Sequence, residues 1–261
     1  MIHLFPSRPV AIDLFGFQIH WYGLLYLLGF LIAAWVLPRL QRYRDLALTR
    51  DTWMSLLSWS VIGVIIGGRL GFVLFYEPTY FSVDPLKIFA VWEGGMSFHG
   101  GLIGVVLVLS LFCRKHSISL LALADVIIVP VAIGLALGRL GNFINQELYG
   151  TVTTLPWGMM FPGADGLRHP IQLYAIGKDL LIATICFWHL RITTGNLRRV
   201  GCTAAAFLIL YGVGRFLLEF IRQQQYPLSD IFGIFLTRGQ LLTLPLIVVG
   251  VGICMMNRIR K

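Results

Sequence analysis

Two short runs of the sequence place arginines beside amides and carboxylates at helical spacing, namely Arg139-x-x-Asn142-x-x-Asn145 and Arg215-x-x-x-Glu219-x-x-Arg222. Side chains three or four residues apart share one face of a helix, so each run would present its polar groups together. A guanidinium donates two parallel hydrogen bonds and stays charged at every relevant pH, which suits the oxygens of a phosphate group. The two runs therefore predict a phosphate-binding site.

Structural ion pairing is the alternative explanation for these arginines. Glu219 could neutralise Arg215 on the same helix, and Glu147 lies close enough in sequence to orient Arg139. Two carboxylates do not balance the three arginines of these runs, so positive charge is left over. This surplus favours binding of an anion over ion pairing alone.

A histidine lies in a separate glycine-rich segment, Gly94-Gly95-Met96-Ser97-Phe98-His99-Gly100-Gly101. Imidazole has an unperturbed pKa of about 6.5, so it is the side chain best matched to accept a proton near neutral pH. Glycines let the backbone bend or approach a ligand closely. The segment therefore predicts a general base, although a lone histidine is also found as a structural hydrogen-bonding residue.

The composition shows what kind of protein must position these residues. The 261 residues are 57% hydrophobic and only 13% charged, and the mean hydropathy is +0.79. Ordinary soluble domains are about 45–50% apolar and about 25% charged. The chain is therefore an integral membrane protein, and we expect a single polytopic membrane domain over residues 1–261. The net charge of +9 is scattered rather than grouped in basic blocks, which indicates contact with anionic membrane lipids and no nucleic-acid partner.

Seven apolar stretches are long enough to cross a bilayer as helices that satisfy their own backbone hydrogen bonds. They cover residues 19–38, 53–75, 95–113, 119–138, 170–190, 201–221 and 238–257. The predicted fold class is an all-α integral membrane protein with seven transmembrane helices.

Lysines and arginines are divided unequally between alternate loops. Of the 21, twelve lie in the loops after the first, third and fifth spans and in the C-terminal tail, whereas five lie on the opposite side. By the positive-inside rule the N-terminus is outside and the C-terminus is cytoplasmic. A short periplasmic segment around residues 139–169 would then join the fourth and fifth spans.

With this orientation, the candidate polar residues meet at one level of the membrane. Arg215 lies 14 residues into the outward-running sixth span, about 21 Å along a helix. The residues expected in the outer half of the bilayer are Tyr22, Arg69, His99, Arg139, Asn142, His169, Arg215 and Glu219. A charged side chain within a span costs roughly 2.5–3.5 kcal/mol on insertion scales, so such a group predicts a functional site.

Three other membrane chemistries fit the residues less well. A rhomboid-type serine protease needs Gly-x-Ser-Gly, whereas this chain has Gly95-Met96-Ser97-Phe98. A metal-dependent phosphatidyl transferase needs a dense aspartate motif, and no aspartate pair occurs within a span. A metal site built from His99, His169 and Glu219 would lack the ligand spacing typical of helices.

Longer segments around these residues resemble the prolipoprotein diacylglyceryl transferase family. The most specific are Met96-Ser97-Phe98-His99-Gly100-Gly101-Leu102-Ile103-Gly104 and Gly138-Arg139-Leu140-Gly141-Asn142-Phe143-Ile144-Asn145-Gln146-Glu147-Leu148-Tyr149-Gly150. Shorter matches are His20-Trp21-Tyr22-Gly23, Gly67-Gly68-Arg69-Leu70-Gly71, Arg168-His169-Pro170-x-Gln172-Leu173-Tyr174, Arg215-Phe216-x-x-Glu219-Phe220-x-Arg222 and Gly239-Gln240. The likeness extends from about residue 18 to the end of the chain.

The resemblance implies a multi-pass enzyme of the bacterial inner (cytoplasmic) membrane that needs no metal or cofactor. It would transfer the diacylglyceryl group of phosphatidylglycerol to the lipobox cysteine of a prolipoprotein signal peptide, forming a thioether and releasing glycerol phosphate. In the family, the functional positions match Tyr22, His99, Arg139, Asn142, Glu147, Gly150, Arg215 and Glu219, with Arg139 contacting phosphatidylglycerol.

These considerations assign a role to each candidate residue. The catalytic residues are expected to be His99, Arg139, Arg215 and Glu219. The residues expected to bind substrate are Tyr22, Arg139, Asn142, Asn145, Glu147, Gly150, Gly100 and Gly101.

The chain departs from the usual family pattern at a few positions. Ala175 and Asp179 stand where glutamates are expected, and the outer segment 151–166 is short. Lys178 and Asp179 are neighbours within the fifth span that could neutralise each other, and the sequence assigns them no role. Two alternatives stay open, namely a lipid-binding transporter or flippase, and an inactive paralogue.

Overall fold

The structure is a computed structural model that describes residues 2–4, 8–91, 94–224, 229–231 and 234–259. In chain order the elements are β1 Ile2–Leu4, β2 Val10–Leu14, β3 Phe17–His20, α1 Trp21–Leu40, α2 Arg50–Phe75, α3 Pro78–Val83, α4 Phe98–His116, α5 Leu120–Asn145, α6 Ile171–Ile192, α7 Cys202–Leu218, β4 Ser229–Ile231, β5 Ile234–Leu236 and α8 Arg238–Ile259. The chain divides into two compact units, Met1–Arg44 with Ala124–Lys261, and Asp45–Leu123.

Each of the seven predicted spans corresponds to a long helix. Six helices within the described residues are long and apolar enough to cross a membrane, and they contain α1, α2, α5, α6, α7 and α8. The predicted span at 95–113 corresponds to α4, which is not one of the six. Helix α4 is 19 residues long, with His99 near its start and Arg114, Lys115 and His116 in its last turn. The structure therefore supports an integral membrane protein with six candidate spans.

The prediction of an all-α fold was wrong in one respect, since two small antiparallel sheets accompany the helices. Strands β1, β2 and β3 form one sheet in that order, and β4 pairs with β5. Phe15 and Gly16 connect β2 to β3 with φ angles of 54° and 95°, the positive values that tight two-residue hairpins require. These strands are only three to five residues long. Such short segments give a much weaker sequence pattern than spans of about 20 apolar residues.

A buried ion pair joins three helices of the first unit. Arg44 follows α1, and its Nε lies 2.6 Å from Oδ2 of Asp125 on α5. The same carboxylate accepts the backbone N–H groups of Gly201 at 2.7 Å and Ala204 at 2.8 Å, which caps the start of α7. Arg44 was counted as a loop charge in the orientation argument, but its side chain is buried and structural.

Helix α8 begins at a reciprocal cap. The N–H of Thr237 donates to Oε1 of Gln240 at 3.0 Å, and the N–H of Gln240 donates to Oγ1 of Thr237 at 3.0 Å. This Thr-x-x-Gln arrangement is a capping box, which satisfies backbone donors that the first turn leaves unpaired. The cap fixes where α8 starts, and Gly239 lies between its two members.

In the second unit, small residues allow α2 and α4 to pack closely. A Cβ at Gly67 would lie 2.3 Å from the carbonyl oxygen of Gly100, and one at Gly104 would lie 2.0 Å from that of Gly63. Gly63 and Gly67 on α2, and Gly100 and Gly104 on α4, therefore form the small-xxx-small contact common between membrane helices.

Candidate phosphate-binding site

A cationic cleft opens in the first unit between α5, α6 and α7. Its empty volume is about 380 Å³, including the space at its mouth. The lining residues are Arg139, Leu148, Ile171, Gln172, Ala175, Lys178, Asp179, Tyr211, Arg215, Leu218 and Arg222. The two sequence runs that predicted phosphate binding thus meet in one cavity.

Glu219 holds two of the arginines at this cleft. Its Oε2 lies 2.5 Å from a terminal nitrogen of Arg215 and 3.7 Å from one of Arg222. The carboxylate is buried, with 3% of the residue exposed. Spacing along one helical face therefore produces the Arg215–Glu219 pair that the sequence predicts, and Glu219 orients Arg215 at the cleft wall.

Arg139 is arranged differently from Arg215. It donates a long hydrogen bond of 3.4 Å to Oδ1 of Asn142, one helical turn away. Among the residues that the structure describes, no carboxylate forms an ion pair with it. Asn142 in turn donates through Nδ2 to Oε1 of Glu147 at 2.9 Å, so Glu147 is linked to Arg139 through this amide. Its predicted role in orienting Arg139 stays a prediction, and the guanidinium keeps donors available for an anion in the cleft.

Glu147 belongs to a second polar group with Tyr22 and Asn142. The Tyr22 hydroxyl donates to Oε1 of Glu147, and the amide of Asn142 donates to that oxygen at 2.9 Å and also to the Tyr22 hydroxyl. Tyr22 opens α1, whereas Asn142 lies near the end of α5, so the group joins the start of one helix to the end of the other. A Cβ at Gly141 would lie 2.8 Å from the Tyr22 ring, which places the ring directly against α5.

The charges around the cleft do not cancel. Four cationic side chains line it, namely Arg139, Lys178, Arg215 and Arg222. The carboxylates paired with them are Asp179 and Glu219. The surplus of positive charge, held on side chains within a membrane protein, suits one phosphate group.

Gln172 and Lys178 are polar residues of the cleft to which the sequence assigned no role. Gln172 is 1% exposed, its Nε2 donates to the carbonyl of Glu147 at 2.7 Å, and its Oε1 is buried without a hydrogen-bond partner among the described residues. Lys178 is ion-paired with Asp179. The signal for both was their polarity at the start of, or within, an otherwise apolar span.

Arg69 belongs to the second unit, where its guanidinium is fully occupied. Its five N–H donors reach five backbone carbonyl oxygens, those of Lys87, Ile88, Ala90, Gly94 and Gly95. Arg69 therefore holds the segment between α3 and α4 in place and keeps no donor for a phosphate. Arg69 therefore does not contribute a donor to the predicted phosphate site, while its predicted level in the outer half of the bilayer stays a prediction. The sequence alone does not indicate these backbone acceptors.

His99, Gly100 and Gly101 also lie in the second unit, at the start of α4. The side chain of Ser97 caps this helix by accepting the N–H of Gly100 at 3.2 Å, and His99 is exposed in the first turn. Gly100 faces the backbone of α2, with which it packs as described above. Its glycine is thus explained by helix packing, while the substrate role predicted for it stays a prediction.

Gly150 lies where three segments of the first unit cross. A Cβ there would lie 2.6 Å from Cβ of His169 and 2.7 Å from the carbonyl oxygen of Ile221. His169 itself lies 3.3 Å, through Nδ1, from the Tyr174 hydroxyl. The close packing around Gly150 therefore explains why this residue is a glycine.

Asn145 ends α5 with its Oδ1 buried and unpartnered among the described residues.

The chain matches a family model described as prolipoprotein diacylglyceryl transferase over residues 9–256. It belongs to the prolipoprotein diacylglyceryl transferase family. The phosphatidylglycerol–prolipoprotein diacylglyceryl transferases of Chromohalobacter salexigens and Geobacter sulfurreducens are both 44% identical to it, over 96% and 97% of this chain and 92% and 96% of their own lengths. The enzyme of that name from Legionella pneumophila strain Paris is 43% identical over 94% of each chain.

The match to prolipoprotein diacylglyceryl transferases covers both compact units. Residues 9–256 include the cleft, the Tyr22 group, Arg69 and the α2–α4 contact. The resemblance noted in the sequence is thereby confirmed at the level of the family.

Proposed function

We propose that this prolipoprotein diacylglyceryl transferase moves the diacylglyceryl group of phosphatidylglycerol to the thiol of a lipobox cysteine in a prolipoprotein. The names of its relatives support the substrates. One observation supports placing the phosphate of phosphatidylglycerol in the cleft. Arg139 is a cation in the cleft wall, and no carboxylate is paired with it among the described residues.

In this reaction sulfur attacks the carbon of the diacylglyceryl group that bears the phosphate. A carbon–sulfur bond forms, the carbon–oxygen bond breaks, and its electron pair stays on the phosphate oxygen that leaves as glycerol phosphate. Arg139 and Arg215 stabilise the negative charge that grows on this oxygen, as preorganised donors do in other enzymes. Glu219 keeps Arg215 aimed at the cleft.

The thiol must lose its proton, because a free thiol has a pKa of about 8.5 and is mostly protonated at pH 7. We assign to His99 the role of the base that accepts this proton, on the basis of its residue type and the family resemblance. Tyr22, Asn142 and Glu147 are assigned to the head group, with Asn145, Gly150, Gly100 and Gly101 shaping the surfaces that surround the substrates.

The finer membrane arrangement is also a proposal. The protein has seven membrane spans, with α4 added to the six candidate spans. Its N-terminus lies outside and its C-terminus lies in the cytoplasm. The membrane is the inner membrane of a bacterial cell. In a cysteine-free background, Asp45→Cys should react with an impermeant maleimide only from the cytoplasmic side, and Asp165→Cys only from the outside. The reverse pattern would refute the orientation.

One assay tests the reaction itself. Purified protein, phosphatidylglycerol and a lipobox peptide are mixed, and mass spectrometry follows the peptide while glycerol phosphate is measured in solution. We expect the cysteine to gain the mass of a diacylglyceryl group, with one glycerol phosphate released per peptide. Lipid binding without either product would instead indicate a carrier or an inactive paralogue.

Two variants test the roles. Arg139→Ala should lower turnover by at least about 100-fold, the loss seen when a donor to a developing anion is removed. His99→Gln should remove most of the rate of thioether formation, because glutamine cannot accept the thiol proton. Near-normal thioether formation by a folded His99→Gln protein would show that another group accepts the proton.

A further inference from the structure

Lys178 is a charged residue of the cleft to which the mechanism above gives no role. It lies on α6 and lines the cleft together with Arg139 and Arg215. The side chain of Lys178 is 15% exposed and that of its partner Asp179 is 2% exposed. Two charges within a membrane-spanning helix are costly, so their presence in this wall calls for an explanation.

Three contacts fix the Lys178 ammonium at the wall. Its aliphatic chain packs on α7, where a Cβ at Gly214 would lie 2.6 Å from Cδ of Lys178. The ammonium lies 4.3 Å from the centroid of the Tyr211 ring, a cation–π distance. Oδ1 of Asp179 accepts a hydrogen bond from it. The charge is therefore held in the cleft instead of reaching towards the membrane surface.

The ammonium has hydrogen-bonding capacity beyond these contacts. A lysine carries three N–H donors. In the described part of the chain, Asp179 takes one hydrogen bond from Lys178, and the Tyr211 ring offers a π face and no lone pair. A donor is thus left for a ligand, while the neighbouring carboxylate keeps the charge balanced when the cleft is empty.

Ion pairing alone does not account for this lysine. A buried pair can often be replaced by apolar residues without loss of stability. We infer that Lys178 is a further phosphate-binding residue, which contacts the phosphate of the lipid head group alongside Arg139 and Arg215. This inference rests on the assignment of the cleft to phosphatidylglycerol in the proposed function.

The first test measures binding without any peptide substrate. Full-length protein in phosphatidylcholine nanodiscs is titrated with phosphatidylglycerol. Lys178→Met should weaken binding about tenfold, the effect of losing one charge-assisted hydrogen bond, whereas Lys178→Arg should stay within about threefold of the parent. Lys115→Met, the same change at an exposed lysine in the other unit, should bind like the parent. Unchanged binding by Lys178→Met would overturn the inference.

A double variant separates phosphate contact from charge balance. Lys178→Met/Asp179→Asn removes both charges, so no unpaired carboxylate is left buried, and it also serves if the single variant does not fold. If Lys178 contacts phosphate, the double variant binds phosphatidylglycerol as weakly as Lys178→Met. If Lys178 only neutralises Asp179, the double variant binds like the parent and the inference is wrong.

Competition distinguishes a lipid phosphate from a free one. Glycerol phosphate and inorganic phosphate should each displace phosphatidylglycerol from the parent, and Lys178→Met should weaken both by the same factor of about ten. Weaker lipid binding with unchanged binding of free phosphates would place Lys178 against another part of the lipid and overturn the inference. None of these measurements requires transfer, so a parent that binds lipid but leaves the peptide unmodified would refute the proposed function separately.

Discussion

Gly239 in the first turn of α8 lies against the carboxylate of Glu219, so closely that a Cβ on Gly239 would be 2.6 Å from Cδ and Oε1 of Glu219. Even an alanine would have to push the carboxylate aside, and Glu219 is the residue that orients Arg215. α8 therefore controls the position of a cationic group that belongs to α7.

We expect Gly239→Ala to lower the transfer rate about 10- to 100-fold, since a displacement of about 1 Å at reacting groups has an effect of this size. The rate is measured with the lipobox peptide, and folding by thermal unfolding in detergent. Gly252→Ala is the matched control, because it lies on the same helix and a Cβ there meets nothing within 4 Å. Equal rates for the two variants would show that Glu219 does not depend on this contact.

The Tyr22 group offers a second test of the same kind. A Cβ at Gly141 would lie 2.8 Å from the Tyr22 ring, whereas one at Gly134 on the same helix meets nothing within 4 Å. Gly141→Ala should therefore move the Tyr22 hydroxyl away from Glu147 and lower turnover about tenfold or more, with Gly134→Ala close to the parent. If Gly141→Ala retains full activity while Tyr22→Phe loses it, the ring tolerates displacement and its contact with Gly141 does not position the hydroxyl.

We expect a substitution of Arg69 to affect the loop between α3 and α4 and not lipid binding. Its five donors serve five carbonyl oxygens, and a lysine has only three donors, so Arg69→Lys leaves at least two acceptors unpaired. We expect a loss of about 2–4 kcal/mol in the stability of this region. Hydrogen–deuterium exchange over residues 85–91 should become faster in Arg69→Lys and stay unchanged in Arg50→Lys, an exposed arginine on the same helix.

Much of the helical frame could be predicted, because long apolar stretches must satisfy their backbone internally and helices do so. The Arg215–Glu219 pair could be predicted for a related reason, since a helix fixes the geometry of residues four apart. Both are local consequences of one regular element.

The partner of Glu147 could not be predicted in this way. Glu147 follows α5 in a turn where Gln146 and Leu148 both have φ of 56°, values that bulky residues seldom adopt. The turn carries the carboxylate to Tyr22, 125 residues earlier in the chain, instead of to Arg139. Tertiary contacts of this kind depend on how helices are placed, which spacing along one helix does not determine.

The buried pair of Arg44 and Asp125 leads to a prediction about stability. Asp125 is fully buried and accepts hydrogen bonds from Arg44 and from two backbone N–H groups at the start of α7. Asp125→Asn removes the negative charge and turns an NH2 group towards one of these donors. We expect a loss of about 3–5 kcal/mol in the free energy of unfolding, because Arg44 is left buried and uncompensated.

A double variant shows whether the loss of stability comes from an unpaired buried charge or from altered packing at this pair. Arg44→Met/Asp125→Leu removes both charges and should recover much of the stability lost in Asp125→Asn, which urea unfolding in detergent can measure. Asp165→Asn, at an exposed aspartate, should be neutral. Asp125 lies 14 residues before Arg139, about 21 Å along α5. The folded fraction of each variant should therefore still bind phosphatidylglycerol like the parent, and weaker binding per folded molecule would mean that this pair also shapes the cleft.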